Sequence, residues 1–198
     1  MRASAWSSSS PRSSSLVAEA APPPASIAVE VGDGRAALET APSPVGLVAV
    51  DVFAAGRVPP PFTSVECFAA ARAALLPGGT LVVNSADGPP LAFLRAQLAT
   101  LRSVFADVAA ITTGSTLAGA RHSNVVLVAS DAPIPVDAIR ERVRTGPPPA
   151  AALGWPRLAP FVADTTPAVV TDATAVGSPE PVRSAYLGGS SLPASLLG

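Results

Sequence analysis

The sequence contains no lysine, one cysteine and one histidine. All 13 cationic residues are arginine, so a Schiff-base lysine and a Walker-type phosphate site are both excluded. The single Cys67 excludes an intramolecular disulfide framework and a cysteine-rich metal site, and we expect it to be a small buried hydrophobic residue of a helix. We interpret His122 as a loop histidine, and since no His, Cys or carboxylate cluster has ligand spacing, we expect no metal.

Strong charge imbalance and long apolar runs are also missing. The formal net charge is -1 and no basic stripe is present, so we expect no nucleic-acid partner. No apolar run approaches the roughly 20 residues needed to cross a bilayer. We therefore expect no membrane partner and a soluble, cytoplasmic protein.

What the chain does have is a large apolar fraction, 48% of its residues, supplied mostly by Ala, Val and Leu. Its length of 198 residues allows one ordinary domain, while the 23 prolines and 15 glycines cluster toward the ends. Three parts are predicted: a disordered Ser/Ala/Pro-rich leader at 1–25, an α/β domain at 26–146, and a Pro-rich, partly irregular segment at 147–198. We expect the last part to be held by Trp155, Leu158 and Phe161.

The apolar pattern alternates between short strands and helices. Strands are predicted at residues 27–31, 47–50, 80–84, 108–112 and 124–129, and helices at 34–40, 63–75, 91–105 and 136–144. Thr63 and Glu66 have the spacing of a capping box. The alternation predicts a partial Rossmann-like, mainly parallel sheet of about five strands with flanking helices. The last two strands lack an intervening helix, which favours an antiparallel pair at one edge.

Two carboxylates follow predicted strands. Asp33 lies between Gly32 and Gly34 after the first strand, and Asp51 follows the second. Open α/β sheets bind ligands at the carboxyl ends of their strands, and glycine lets a ligand approach the backbone closely. The residues alone leave a second interpretation open, in which each carboxylate only caps a loop or the start of a helix.

The order of these signals resembles the second half of a class I S-adenosylmethionine-dependent methyltransferase fold. Leu-Leu-Pro-Gly-Gly at 75–79 resembles the turn before its fifth strand. Val-Gly-Asp-Gly-Arg at 31–35, Val-Asp-Val-Phe at 50–53 and Phe-Thr-Ser-Val-Glu-Cys-Phe at 62–68 together resemble spermidine synthases and spermidine-synthase-like proteins. The resemblance covers about residues 27–130, without the N-terminal part of the fold, and Val-Thr-Asp at 170–172 adds a further similarity.

The resemblance implies aminopropyl transfer from decarboxylated S-adenosylmethionine to an amine, as in polyamine biosynthesis; the alternative is an S-adenosylmethionine-dependent, methyltransferase-like protein that acts on another nucleophile. The resemblance places Asp33, Gly32 and Gly34 against the adenine of that donor. It makes Asp51 the catalytic carboxylate, which would hold the amine and help remove its proton. Asp87 follows the next strand, where it would either line the amine pocket or cap the helix that follows.

The chain departs from the family pattern at several positions. Ala54 stands where the family has a second acid, Phe68 stands where it commonly has an aromatic hydroxyl, and Arg57 is the only charge in the loop 52–61. A Gly-rich turn and a ribose-binding acid are not found before Ile27, and residues 1–25 contain no glycine. We therefore expect an exposed sheet edge, covered by a homodimer or another partner unless the chain is a truncated gene product. A methyltransferase-like enzyme and a non-catalytic remnant or subunit stay open as alternatives.

Overall fold

The structure is a computed structural model that describes residues 27–117, 120, 122–146 and 150–181. The predicted leader at 1–25 lies outside the described residues. The described chain forms six α-helices and five strands, in the order α1 (Gly34–Glu39), β1 (Val45–Val50), α2 (Val65–Ala73), β2 (Leu75–Asp87), α3 (Ala92–Val104), β3 (Asp107–Thr112), α4 (Gly114–Leu117), β4 (Ser123–Ser130), α5 (Val136–Arg144), β5 (Ala151–Gly154) and α6 (Trp155–Ala163). The predicted mixed α/β class with flanking helices is confirmed.

The sheet has five strands in the order β1-β2-β4-β3-β5 and is mostly antiparallel, so the predicted mainly parallel sheet is wrong. Only β1 and β2 pair in parallel, while β4 runs antiparallel to both β2 and β3, and β5 runs antiparallel to β3. The cause lies in the short connection between β3 and β4 at 113–122, whose described residues form only the single-turn helix α4. A parallel return needs a crossover of a dozen or more residues, so β4 turns back instead.

The predicted antiparallel pairing of the last two strands is confirmed, but its place in the sheet is not an edge. β4 lies in the middle of the sheet, between β2 and β3. The edge beside β3 is covered by β5, which pairs Ala109 with Gly154 and Thr112 with Ala151. β5 and α6 come from the part of the chain after Thr145 where we expected irregular structure, and Leu158 of α6 is buried.

The strand predicted at residues 27–31 does not form. The segment is irregular, and Ile27, Val29 and Val31 are 80%, 75% and 101% exposed. A strand needs a neighbour for its backbone N–H and C=O groups, and among the described residues none pairs with this segment. Residues 27–31 therefore stay outside the sheet, although their apolar residues alternate as in a strand.

Two helices show how local sequence set their limits. α3 follows the predicted apolar period, and Leu94, Leu98 and Leu101 are fully buried along one face. α2 begins one residue later than the capping-box spacing indicated, because the hydroxyl of Ser64 accepts the N–H of Cys67 at 3.2 Å. Glu66 accepts the backbone N–H of Asp172 instead of closing a capping box.

The core lies between the sheet and the helices α2, α3 and α6. Leu81 and Val83 of β2 and Leu127 of β4 face it, and Phe68 of α2 packs among them. Cys67 is buried in the same cluster, as expected, and burial raises the pKa of its thiol to about 11. The thiol is therefore protonated at neutral pH and unsuited to act as a nucleophile.

Two features are absent from the described residues: a membrane-spanning helix and a metal-ligand cluster. None of their helices has the length and apolar character to cross a membrane. They also contain no group of three or more His, Cys, Asp or Glu side chains placed to hold a metal ion.

Candidate functional site

The carboxyl ends of the parallel strands β1 and β2 bring together Asp51 and Asn84. Val50 of β1 is in register with Val83 of β2, so the next residue of each strand lies beside the other. The Asn84 Nδ2 atom donates a hydrogen bond to Asp51 Oδ1 at 3.0 Å. This hydrogen bond fixes the direction of the Asp51 carboxylate. Asp51 is also exposed to solvent, so a ligand can reach it.

The hydrogen bond to Asp51 also fixes the orientation of the Asn84 amide. A carboxylate only accepts hydrogen bonds, so the amide nitrogen must face it and the amide oxygen must point elsewhere. Asn84 Oδ1 is buried and has no hydrogen-bond partner among the described residues. Unsatisfied buried acceptors are uncommon and call for an explanation. The cluster therefore offers the exposed carboxylate to a ligand that carries N–H groups, while the amide oxygen lies inside the protein.

Asp33 caps the start of α1. Its Oδ1 atom accepts the backbone N–H of Arg35 at 2.8 Å and that of Ala36 at 3.2 Å, as an N-cap residue does. The capping interpretation left open by the sequence is therefore realised, and the contact of Asp33 with adenine stays a prediction. Of the flanking glycines, Gly32 faces open space, while a Cβ on Gly34 would lie 3.4 Å from the ring of Phe62.

Asp87 lies at the end of β2 and is 1% exposed. One carboxylate oxygen accepts the N–H of Gly88 at 2.8 Å, and the other accepts the N–H of Leu94, in the first turn of α3, at 2.7 Å. Burial raises the pKa of Asp87, although these backbone hydrogen bonds and the nearby His122 oppose the shift. Its contacts are those of a helix cap, and its contact with an amine stays a prediction.

The loop between Asp51 and α2 carries Arg57, and this side chain is paired. Its Nε atom donates to the backbone oxygen of Ser178 at 2.5 Å, and its guanidinium lies 3.7 Å from the carboxylate of Glu180. Ala54 and Arg57 exchange backbone hydrogen bonds of 2.9 and 3.1 Å, which close the loop into a tight turn. The positive charge of the loop is thus directed to the C-terminal part of the chain.

A second contact with the C-terminal part lies beside α1. Arg35 donates two hydrogen bonds to the carboxylate of Asp172, at 3.2 and 3.1 Å, and pairs with Glu39 at 2.6 Å. The Ser64 hydroxyl donates a short hydrogen bond to the same carboxylate. This hydroxyl contact and Arg35 together lower the pKa of Asp172. Asp172 therefore links the N-terminal ends of α1 and α2.

Sequence reasoning missed Asn84, Asp172 and Ser178 as candidate site residues. Asn84 was recognised only as the last residue of a strand, although a polar side chain at that position was a usable signal. Asp172 carried a weak signal in the Val-Thr-Asp similarity. For Ser178 the sequence has no signal, since its partner Val58 lies 120 positions earlier.

Two cavities lie elsewhere on the molecule. One cavity of about 560 Å³ lies at the amino end of β2, whereas Asn84 lies near its carboxyl end. Arg72, Leu76 and Asp131 contribute to the wall of this cavity. Another of about 460 Å³ lies between α3 and residues 165–174. Neither of these two cavities is lined by Asp33 or Asp51.

Comparison with known proteins finds similarity among solved structures. No protein-family model matches the chain, and curated protein sequences give no match. Among solved structures, the chain is similar to a probable spermidine synthase from Corynebacterium glutamicum ATCC 13032, with 29% identity and a TM-score of 0.64. The similarity covers 71% of this chain and 53% of that structure, so the chain spans about half its length.

Proposed function

We propose that this chain, which has a spermidine-synthase-like fold, forms the amine-activating part of an aminopropyltransferase. The observation that carries the proposal is the exposed Asp51 carboxylate, held by Asn84 at the shared carboxyl edge of β1 and β2. The likeness to a probable spermidine synthase supports the reaction class. The donor would be decarboxylated S-adenosylmethionine and the acceptor a small amine.

Asp51 would contact the amine, and Asn84 would hold Asp51 in position. Asn84 Nδ2 engages Asp51 Oδ1, which leaves Asp51 Oδ2 to accept a hydrogen bond from an ammonium group and then its proton. The hydrogen bond from Asn84 fixes the direction of the Asp51 carboxylate, so that its second oxygen can orient the nitrogen as the proton leaves.

The donor would supply an electrophilic carbon beside a sulfonium sulfur. The family resemblance implies that Asp33 would contact its adenine, and a Cβ on Gly32 would have no described atom within 4 Å, so that position is open to a ligand. No Gly-rich turn and no ribose-binding acid can be identified among the described residues, and the similarity covers only 53% of the solved structure. We therefore assign to this chain the adenine contact and the amine side of the site alone.

A non-catalytic subunit is the second candidate. It is favoured by the exposed apolar segment at 27–31 and by Ala54, which replaces an acid that the family resemblance implies. Such a subunit would bind a partner through that segment and would need neither Asp33 nor Asp51. Donor binding therefore separates the two candidates.

Isothermal calorimetry of the purified chain with decarboxylated S-adenosylmethionine and with S-adenosylmethionine tests the proposal. We expect binding of the decarboxylated donor, and loss of that binding in Asp33→Ala. The matched control is Asp137→Ala on α5. Like Asp33, Asp137 bonds to a residue close to it in sequence, Arg140, and its side chain is 93% exposed. Absence of heat with both ligands at millimolar concentration would contradict the enzymatic assignment for this chain.

A further inference from the structure

The residues after α6 cross the surface and contact the loop that follows Asp51. We call residues 165–181 the strap. Near its middle, the Val170 oxygen accepts the N–H of Val65 at 2.8 Å, and the Val170 N–H donates to Thr100 Oγ1 at 3.0 Å. Asp172 adds the ion pair with Arg35. The strap is therefore attached to α1, α2 and α3 before it reaches the loop.

At the loop, the strap makes a paired contact with Val58. The Val58 N–H donates to Ser178 Oγ at 2.9 Å, and the Ser178 N–H donates to the Val58 oxygen at 3.1 Å. Both residues are buried, and Ser178 has no exposed surface. A Cβ on Gly177 would lie 2.9 Å from the Val58 oxygen, so the backbones approach as closely as they do only because this residue is glycine.

This contact lies beside the charged side chain of the loop and helps to hold it in position. Arg57 precedes Val58 directly, and its guanidinium is bound by the Ser178 oxygen and faces Glu180. Arg57 is the only charged residue of loop 52–61, and the loop joins Asp51 to the elements before α2. Arg57 follows Asp51 by six positions, in the loop that begins after Asp51. An unpaired cation near an ammonium substrate would oppose its binding, since screening at ordinary salt is incomplete over distances up to about 10 Å.

We propose that the strap determines the charge specificity of the site: Ser178 and Glu180 hold and neutralise Arg57, so that Asp51 meets a cationic acceptor without a competing positive charge. The inference rests on the proposed function, because it takes the acceptor to be an ammonium. It makes Glu180 a specificity-determining residue that touches neither donor nor acceptor. It also explains how a loop with an arginine is compatible with an amine substrate.

The test compares wild type with Glu180→Gln, Arg57→Gln and the double variant, using 1,4-diaminobutane as acceptor. At low salt, Glu180→Gln should raise KM for the diamine about threefold and leave kcat unchanged. Salt of about 0.5 M should remove the difference, because screening then shortens to a few Å. The double variant should return to the KM of Arg57→Gln. A strap that only stabilises the fold predicts no such rescue, and an unchanged KM in Glu180→Gln overturns the inference.

Backbone exchange checks the contact without turnover. Ser178→Ala should speed hydrogen exchange of the Val58 amide at least about tenfold, whereas Ser115→Ala, in the short helix α4, should leave it unchanged. Unchanged Val58 exchange in Ser178→Ala overturns the inference. The exchange readout also shows whether each variant is folded.

The two proposals fail in different ways. Turnover by wild type with an unaltered Glu180→Gln profile overturns the strap inference and leaves the proposed function standing. Absence of turnover and of donor binding overturns the proposed function. In that case calorimetry with the diamine decides the inference: weaker binding in Glu180→Gln that the double variant restores supports it, and equal or unmeasurable binding overturns it.

Discussion

The carboxyl ends of β1 and β2 each carry an aspartate, and the two residues have opposite surroundings. Asp51 is exposed and receives one side-chain hydrogen bond, from Asn84. Asp87 is 1% exposed, and both of its oxygens accept backbone N–H groups. The topological position is the same, so position alone does not make a reactive carboxylate. What distinguishes Asp51 is that it keeps an oxygen available to solvent and ligands.

The difference follows from the lengths of the two strands. β1 ends at Val50 on the edge of the sheet, where the loop begins at once. β2 continues beyond it through residues 84–87, which pair with the start of β4. The end of β2 is thereby enclosed between β4 and α3, and a carboxylate there must find its partners within the protein.

The largest expected effect that distinguishes Asp51 from Asp87 is on the rate of turnover. Asp51→Asn keeps the shape of the side chain but removes the proton acceptor, so kcat should fall by about 10²- to 10⁴-fold while donor binding is retained. The control is Asp137→Asn on α5, which should keep wild-type turnover. Steady-state assays with separate donor calorimetry measure both. Retained turnover in Asp51→Asn would show that Asp51 is not the base.

Stability should separate the two aspartates in the reverse order. Asp87→Ala removes acceptors from the buried N–H groups of Gly88 and Leu94 and should cost about 2 kcal/mol of unfolding free energy. Asp51→Ala, at an exposed position, should change it by no more than about 0.5 kcal/mol. Urea unfolding of both variants measures the difference. Equal losses would mean that Asp51 is as structural as Asp87.

The smallest effect is on the pH dependence of stability, where Asp87 and Asp172 should act oppositely. Folding raises the pKa of Asp87 above 3.8, so its contribution is greatest below that pH and declines as pH rises through the folded value. Folding lowers the pKa of Asp172, so its contribution is present above 3.8 and is lost as pH falls toward the folded value.

Urea midpoints between about pH 2 and pH 6 test this contrast. Asp172→Asn should flatten the loss of stability in acid, because it removes a group that binds a proton more tightly when unfolded. Asp87→Asn should make that loss steeper, because it removes a group that binds a proton more tightly when folded. Parallel curves for wild type and both variants would contradict the stated directions.

Local sequence was sufficient for features that depend on neighbours along the chain. The leucines at 94, 98 and 101 predicted α3. Local signals also indicated the Asp33 cap as one of two interpretations. In each case the partner lies within a few residues, so the physical cause is contained in the segment itself.

Features that depend on distant partners could not be predicted in the same way. The insertion of β4 between β2 and β3 is a property of strand order, which no periodicity encodes. Residues 27–31 alternate as a strand does, but a strand forms only with a neighbour. The pairing of Asp51 with Asn84 depends on sheet register, and the contacts of Asp172 with Ser64 span 108 positions.

The contact between Val58 and Ser178 also has a consequence for how the protein folds. Its two residues are 120 positions apart, so it closes one of the longest loops in the described chain and carries a correspondingly large entropic cost. During synthesis the residues of the strap emerge after those of the sheet. We expect the segment beside Asp51 to reach its final conformation only once the strap has been synthesised, after the sheet behind it has assembled.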